Sequence, residues 1–432
     1  MSPTFVSLAV RNYRLYAAGG LVSNVGTWMG RVGQDWLVLT ELTDHSSSAL
    51  GLVTGLQFLP FLLLAPWTGM IADRFDKRRV LLVSQVVLLA TSAVLAVLAV
   101  AGVVQLWQVY ALAFVQGIAT AVDNPARQAF VSEIVGPDRL ANAVGLNSAS
   151  FNAGRLLGPG VAGVLIAAYG TGAALAANAV SFVPVLAALL AMRVAELRPA
   201  PRVRGKGGVR EGLAYVRSRR DLQLVLLLVF VLGTFGMNFQ LTTALMATQV
   251  FGKGAGEYGL LGSVMAIGSL SAALLAARRA RPRPRVLLGS LGGFTLASGA
   301  AAVAPSYSLF AVALVGCGLT ALTAMTTANA LVQLSTEPSM RGRVMALYMA
   351  IFLGGTPVGA PLIGRLGDLA GARWTIAVGT IAVGVTLAVV AVAVLRRENV
   401  RVSFESQRRP HWRVSVGPAD DSPALPLPEA AR

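Results

Sequence analysis

The sequence predicts an all-α membrane protein with twelve transmembrane helices in two pseudo-symmetric six-helix halves. Three observations lead to this fold class. Of the 432 residues, 55% are hydrophobic and only 13% are charged, whereas a soluble protein carries about a quarter charged residues. Apolar runs of roughly 20 residues or more recur along the chain, and each is long enough to cross a bilayer as a helix. The basic residues collect in every second break between those runs.

The longest internal polar break separates six apolar runs from six more. The runs cover residues 13–40, 49–72, 79–101, 106–132, 140–168, 172–193, 221–250, 257–277, 285–304, 307–335, 342–368 and 373–395. We therefore divide the chain into a first half at 1–193, a basic cytoplasmic linker at 194–220, a second half at 221–395 and a tail at 396–432. The tail is rich in arginine and proline, so we expect it to be cytoplasmic and disordered.

The distribution of loop charge predicts the orientation in the membrane. Even-numbered breaks carry basic clusters, such as Arg74 to Arg79 and Arg341 with Arg343, and odd-numbered breaks are nearly free of them. The positive-inside rule then places both termini in the cytoplasm of a multi-pass protein of the bacterial cytoplasmic membrane. The net charge of +17 lies in these short loops. We therefore expect the lipid bilayer, and not nucleic acid, as the charged partner.

Residue usage argues against several other classes of protein. Cys317 is the single cysteine, and His45 and His411 are the two histidines, so we expect no disulfide and no metal site. We find no phosphate-binding Gly-x-x-x-x-Gly-Lys-Ser/Thr loop, so nucleotide drive is not expected and no cofactor is implied. A membrane-embedded enzyme would need a catalytic cluster inside the spans, and a sensor would need a soluble output domain. The sequence shows neither of these features.

The fifth run, between residues 145 and 163, carries two different helical stripes. Gly154 and Gly158 lie four residues apart on one face, a spacing that lets two helix backbones pack closely in lipid. A second stripe contains Ser148, Asn152, Arg155 and Pro159. An ionisable group in the middle of a span is costly unless it faces protein or a water-filled cavity. The fifth helix is therefore expected to have a tight packing face and a polar face lining a cavity.

This spacing resembles the antiporter motif of major facilitator superfamily exporters. The matching positions are Gly145, Gly154, Gly158, Pro159 and Gly163, and Ala162 stands where the family has glycine. The alternative is a tight helix contact without any bearing on transport direction. A constant shift along the chain pairs Gly154 with Gly355, Gly158 with Gly359 and Gly163 with Gly364. Such an internal repeat fits the two parallel halves of these transporters, unless it is a chance match among abundant glycines.

Two further segments resemble the same superfamily. Residues 69–79 are similar to its cytoplasmic loop signature, whose matching gating positions are Gly69, Asp73, Arg74 and Arg78. Asp76 stands where the family usually has glycine. Residues 123–128 and 341–348 resemble the branch of the superfamily that contains the enterobactin exporter. Asp123 and Arg127 are four residues apart, so they can pair, and Arg127 joins the expected gating group.

The first run carries a polar stripe of Asn24, Thr27, Arg31, Gln34 and Asp35. Arg31 and Asp35 are also four residues apart, and charges within a span are not expected to face lipid. One interpretation is a cavity lining in which Asp35 is protonatable. The other is a structural ion pair near the outer end of the helix.

The resemblance implies a secondary transporter whose first, fourth, seventh and tenth spans line a central cavity. The expected cavity residues are Asn24, Thr27, Arg31, Gln34, Asn152, Arg155, Thr234, Asn238 and Thr323. Asp35 is the preferred proton carrier and Asp123 the second candidate, while Asp73 is expected to stabilise the outward-open state.

The function that follows is export of a small molecule (a drug, siderophore or secondary metabolite) by alternating access. Proton antiport is the expected coupling. An importer or a lipid mover of the same fold is the alternative. Arg31 and Arg155 point to an anionic or catechol-like compound, and we expect a monomer.

Overall fold

The computed structural model describes residues 3–198, 209–277, 282–337, 339–397, 401–405 and 411–415. A short 3-10 segment, Pro3–Ala9, precedes the first long helix. The first half then consists of α1 (Arg11–Trp36), α2 (Ser47–Arg74), α3 (Lys77–Val100), α4 (Leu106–Val135), α5 (Pro137–Tyr169) and α6 (Thr171–Ala191). The six predicted runs of this half are therefore all helical.

The second half follows a short helix in the linker. The elements are α7 (Val209–Ser218) in the linker, then α8 (Arg220–Val231), α9 (Phe239–Leu245), α10 (Ala255–Ala277), α11 (Pro284–Val303), α12 (Tyr307–Ser335), α13 (Arg341–Gly354), α14 (Thr356–Ala370) and α15 (Ala372–Arg397). The seventh predicted run is interrupted, because Met237 and Asn238 leave the helical conformation between α8 and α9. The eleventh run contains both α13 and α14.

The helices confirm the all-α membrane fold. Within the described residues, ten helical segments are long and apolar enough to cross a membrane. The helices α1 and α4 fall outside that group because charged and polar side chains interrupt their apolar surface. The structure divides into one compact unit at Met1–Gly384, which contains both halves up to α15, and a second at Val385–Arg432.

Local sequence signals set the helix ends. The Ser46 hydroxyl caps α2 by accepting from the Ala49 amide at 3.2 Å. The Asp76 carboxylate caps α3 through the Arg79 amide at 2.8 Å. Side-chain oxygens at these positions satisfy amides that lack a partner within the helix. Gly136 ends α4 with a φ of 73°, which glycine adopts without the steric cost of a side chain.

The tail, for which the composition predicts disorder, contains two short strands. Arg401–Glu405 (β1) pairs antiparallel with His411–Ser415 (β2). Apolar and polar residue types alternate in the sequence of β1, and this period of two favours a strand. The prediction of a disordered tail covers residues 396–432, of which 398–400, 406–410 and 416–432 lie outside the described residues. It therefore stays a prediction.

Candidate functional site

The two halves are held together at one end of the bundle. We call this the sealed end; it carries the α1–α2, α5–α6 and α9–α10 connections. The opposite end, which we call the basic end, carries the α2–α3, α4–α5 and α12–α13 connections. At the sealed end α2 packs on α14: a Cβ on Gly51 would lie 2.5 Å from the Ala360 carbonyl oxygen. Only glycine allows that separation, so this contact needs a residue without a side chain.

A carboxylate strengthens the α2–α14 contact. The two oxygens of Asp368 in α14 accept hydrogen bonds from the backbone amides of Ser47, at 2.7 Å, and Ser48, at 3.0 Å. These amides begin α2, where unpaired N–H groups and the helix dipole favour a negative charge. The second half therefore caps a helix of the first half.

The helices α5 and α10 form the second contact between the halves at the sealed end. We call the α2–α14 and α5–α10 contacts together the seal. A Cβ on Gly163 would lie 2.7 Å from the Ala255 carbonyl oxygen, and Pro159 packs on Gly262. The Ser263 hydroxyl donates to the Leu156 carbonyl at 2.6 Å. The expected close packing at the fifth-run glycines thus joins α5 to α10 across the two halves.

The same glycine-rich stretch also packs inside its own half. Cβ atoms on Gly154 and Gly158 would lie 2.8 Å from the Asn24 carbonyl carbon and 2.6 Å from the Trp28 Cβ, so this face of α5 lies on α1. Gly355, at the equivalent place in the repeat, packs on Thr234 of the second half. Gly145 has no atom within 4 Å of a built Cβ, so its part in the motif has no packing explanation.

Asp35 lies inside the seal. It is 5% exposed and accepts a hydrogen bond from the Tyr258 hydroxyl of α10 at 3.0 Å. The Tyr258 ring also stacks on Trp36, with 6.3 Å between the ring centroids. Tyr258 was not among the predicted site residues. The small-residue spacing of Gly256, Gly259 and Gly262 around it is the one sequence signal that marks this turn as a contact surface.

The ion pair of Arg31 and Asp35, one of the two interpretations of the first run, is not formed in the structure. The Arg31 guanidinium lies 4.9 Å from the Trp28 ring centroid and 5.9 Å from that of Phe58. Long side chains on a helix lean toward its N-terminus, which carries Arg31 away from Asp35 and over the preceding turn. Asp35 is therefore available to the other half of the protein.

The guanidinium groups of Arg31 and Arg155 both lie over the indole ring of Trp28. Arg155 lies 5.7 Å from the centroid of the same Trp28 ring, although it belongs to α5 and not to α1. Both arginines are half-buried, and neither makes a hydrogen bond or ion pair within the described part of the chain. Toward the basic end, apolar side chains of the facing helices are exposed, among them Leu63, Trp67 and Phe151. The arginines therefore lie between the sealed end and a region where the halves expose their side chains.

Three of the other polar residues predicted on α1 and α5 have partners inside the first half. The Asn24 amide donates to the Ser150 hydroxyl at 2.9 Å, and the Thr27 hydroxyl donates to the Ser23 carbonyl at 2.8 Å. Asn152 donates to the Ser148 carbonyl at 2.8 Å, and Gln34 is buried one position before Asp35. These residues surround the arginines, but their part in substrate binding stays a prediction.

The predicted residues of the second half lie deeper in the helix packing. Thr234, Asn238 and Thr323 are all buried. The Asn238 side chain donates to the Thr234 carbonyl at 2.7 Å, while its own Oδ1 has no partner. Asn238 borders a small cavity with Ser298 and Thr380. The structure thus does not bring these residues together with Arg31 and Arg155.

Asp123 belongs to a separate buried cluster within the first half. Its carboxylate pairs with Arg127 at 2.7 Å, as the four-residue spacing predicts. It also accepts from the Ser84 hydroxyl and the Gln85 amide, both at 2.8 Å. Every one of these partners is in α3 or α4, so this carboxylate is fully bonded inside one half.

The loop signature mainly fastens helix ends at the basic end. Arg78 donates to the Leu189 carbonyl at 2.7 Å, at the C-terminus of α6. Lys77 pairs with Glu133 of α4 at 2.6 Å, and Arg74 is exposed. The side chains at positions 69 and 73 lie outside the described ones. The gating roles of Gly69 and Asp73 therefore stay predictions.

Taken together, the fold and this site define a multi-pass helical transporter. A model of the transmembrane secretion effector family matches residues 2–418. The chain belongs to that family, which confirms the resemblance to major facilitator superfamily transporters. This membership also makes it a transporter of the cell membrane and not an enzyme.

Relatives and solved structures agree with this class. The staphyloferrin A transporter of Staphylococcus aureus is 28% identical over 370 residues, 80% of this chain and 87% of that protein. Macrolide efflux protein A of Streptococcus pyogenes is 24% identical over 361 residues, 81% and 89% of the two chains. The enterobactin exporter of Shigella boydii is 25% identical over 351 residues, 79% and 82% of the two.

Among solved structures, nucleoside transporter NupG superposes with a TM-score of 0.72 at 12% identity, covering 88% of this chain and 99% of its own. A bacterial homologue of the human lysosomal transporter Spinster, in an inward-facing and occupied conformation, superposes with a TM-score of 0.71 at 15% identity, covering 89% and 97%. At these identities the likeness concerns the fold alone.

Proposed function

We propose that the protein is a secondary efflux transporter that exports a small molecule across the bacterial cytoplasmic membrane by alternating access. The observation that carries the proposal is the position of Arg31 and Arg155 between a closed end and an exposed region of the same bundle. Neither arginine makes an ion pair with another described residue. With the positive-inside orientation, the seal faces outward and substrate reaches the arginines from the cytoplasm. The relatives named as a macrolide efflux protein and an enterobactin exporter support the outward direction.

We further propose that inward proton flow drives export and that Asp35 carries the proton. The residue lies in the seal and makes no ion pair with Arg31, so its charge is not permanently neutralised. A charged carboxylate is costly to bury. When the outer end opens, Asp35 meets outside water and takes up a proton. The neutral carboxyl re-enters the seal more readily. After the outer end has closed, Asp35 gives the proton to water on the cytoplasmic side, and the carboxylate that remains is stabilised by the hydrogen bond from Tyr258. Coupling therefore runs through the seal and does not need competition for Arg31.

The test uses inside-out membrane vesicles, in which export appears as uptake. A compound panel is offered with and without an imposed proton gradient, to the native protein and to Arg155→Ala. We expect gradient-dependent uptake of at least one compound and its loss in Arg155→Ala, with normal amounts of protein in the membrane. Uptake by whole cells instead of vesicles would establish an importer and overturn the proposal.

A further inference from the structure

We propose that Arg31 and Arg155 form a binding site for a dianionic small molecule with an apolar body. The inference rests on the proposed function, because it names the class of compound that the same site takes. It goes further because it assigns two negative charges to that compound, to match the two guanidinium groups of the site.

The first argument is the uncompensated charge. The two guanidinium groups lie 4.9 Å and 5.7 Å from the centroid of the Trp28 ring. They are like charges near each other inside a membrane bundle, and each repels the other strongly where the dielectric constant is low. The indole face attracts both cations, but it carries no net charge that could neutralise them. A ligand with two negative charges would balance the pair.

The second argument is that, among the described residues, no carboxylate lies within ion-pair distance of either guanidinium group. Asp35, the nearest acidic residue on α1, is bonded to Tyr258. Asp123 is bonded to Arg127, Ser84 and Gln85. Each of these carboxylates has its own partners. A monoanion would leave one guanidinium without a directly paired charge, and a neutral or cationic compound would leave both without one.

The third argument concerns the shape of the ligand. Guanidinium groups bind carboxylates and phosphates through two parallel hydrogen bonds, so they select planar or tetrahedral oxyanions. The surrounding side chains are aromatic: Phe58 lies near Arg31, and Phe151 packs edge-on against Trp28 at 5.8 Å between ring centroids. The ligand therefore combines an anionic end with an apolar part.

The experiment measures binding of four one-ring probes to the full-length protein in lipid nanodiscs. The probes are phthalate, a dianion; benzoate, a monoanion; benzamide, which is neutral; and benzylammonium, a cation. We expect affinity to fall in that order and the preference for phthalate to weaken as salt is raised. Equilibrium dialysis with labelled probes gives the dissociation constants directly and does not depend on transport.

Substitutions at the two arginines test whether these residues cause the preference for phthalate. Arg31→Gln and Arg155→Gln should each weaken phthalate binding about tenfold, the size expected for one charge-assisted contact. Benzamide binding should be unchanged. Arg31→Lys and Arg155→Lys keep the charge but lose the two parallel hydrogen bonds. They should bind phthalate more weakly than the native protein and more tightly than the Gln variants, which separates lost charge from misfolding. Arg79→Gln, an exposed arginine at the basic end, is the matched control and should bind phthalate like the native protein.

Equal or tighter binding of benzamide or benzylammonium would overturn the inference. So would a phthalate preference that survives in the double Gln variant, or the failure of all four probes to bind. Charge-dependent binding without export of any dianion in vesicles would leave the site assignment standing and would instead overturn the proposed efflux function.

Discussion

Tyr258 of α10 donates a 3.0 Å hydrogen bond to Asp35 of α1, and its ring stacks on the indole of Trp36, the residue that follows Asp35. One side chain of the second half thus makes both a polar and an aromatic contact with the first half. In the proposed alternating-access cycle, the two helices that make this contact separate when the sealed end opens. The stability of this bond therefore contributes directly to the balance between the closed and open forms of that end.

Removing the Tyr258 hydroxyl should favour opening of the sealed end. Tyr258→Phe keeps the ring stack but leaves a buried carboxylate without its donor, a loss of about 1–3 kcal/mol. We expect the open population to rise roughly fivefold or more. The measurement is the rate at which a membrane-impermeant maleimide, applied from outside, labels a cysteine introduced as Gln34→Cys. The native Cys317 is buried and is replaced by alanine.

The matched control for Tyr258→Phe is Tyr307→Phe, whose hydroxyl donates to the Glu257 carbonyl inside the second half. It should leave the labelling rate unchanged. A labelling rate in Tyr258→Phe equal to that of the control would show that the Asp35 contact does not hold the seal.

Asp368 should hold the same end through a different interaction. Asp368→Asn removes the negative charge that two amides at the start of α2 contact. A helix cap of this kind is worth about 1 kcal/mol, so we expect outside labelling at position 34 to rise by roughly fivefold. Glu257→Gln is the control, because this carboxylate is half exposed and pairs only loosely with Lys253 at 4.0 Å. A fall in labelling would contradict the cap.

A larger side chain at a glycine of the seal should impair the protein. A larger side chain at Gly145, the antiporter-motif glycine with no close neighbour, should not. Gly51→Val places a side chain against the Ala360 carbonyl, where a Cβ already lies 2.5 Å from the oxygen. Overpacking of this kind costs about 1–3 kcal/mol, so the variant should favour the outward-open form and lose export. Gly145→Ala meets no atom within 4 Å and should export normally. Loss of export in Gly145→Ala would show a role other than packing.

Much of this architecture could be predicted from the sequence. Runs of apolar residues are a direct consequence of the bilayer, so the spans follow from hydropathy. The spacing of Gly154 and Gly158 predicts close helix packing, and the structure confirms it against α1. The four-residue spacing of Asp123 and Arg127 likewise predicts their ion pair. These are local patterns, in which the residues that interact are close in the chain or repeat at a fixed period.

The contacts of Arg31, Asp35 and Tyr258 could not be predicted in the same way. Arg31 and Asp35 have the same spacing as Asp123 and Arg127, yet here the arginine turns to Trp28 and the carboxylate to Tyr258. Which neighbour wins depends on a rotamer and on a helix more than 200 residues away in the chain. The break at Met237 and Asn238 was missed for a related reason. Met237 is apolar, and the single polar residue Asn238 does not interrupt the apolar run enough to mark a helix end.

The two candidate proton carriers should behave differently when each is neutralised. Asp35→Asn places an amide in the seal, and its oxygen can still accept the hydrogen bond from the Tyr258 hydroxyl. The protein should therefore remain folded and able to bind substrate. Because asparagine cannot exchange a proton, substrate-dependent proton flux in proteoliposomes should disappear. Asp123→Asn weakens the ion pair of a buried arginine, and removing one partner of such a pair costs about 3–5 kcal/mol. This variant should therefore melt at a lower temperature while the protein that remains folded keeps its proton flux.

The measurement pairs two readouts for each variant: proton movement on adding substrate to proteoliposomes, and thermal unfolding in detergent. Asp44→Asn is the control, because Asp44 is highly exposed in the α1–α2 connection and should change neither. If proton movement survives in Asp35→Asn, the carrier is not Asp35. If it survives there and disappears in folded Asp123→Asn, the carrier is Asp123. Its bonds to Ser84, Gln85 and Arg127 would then have to break during each transport cycle.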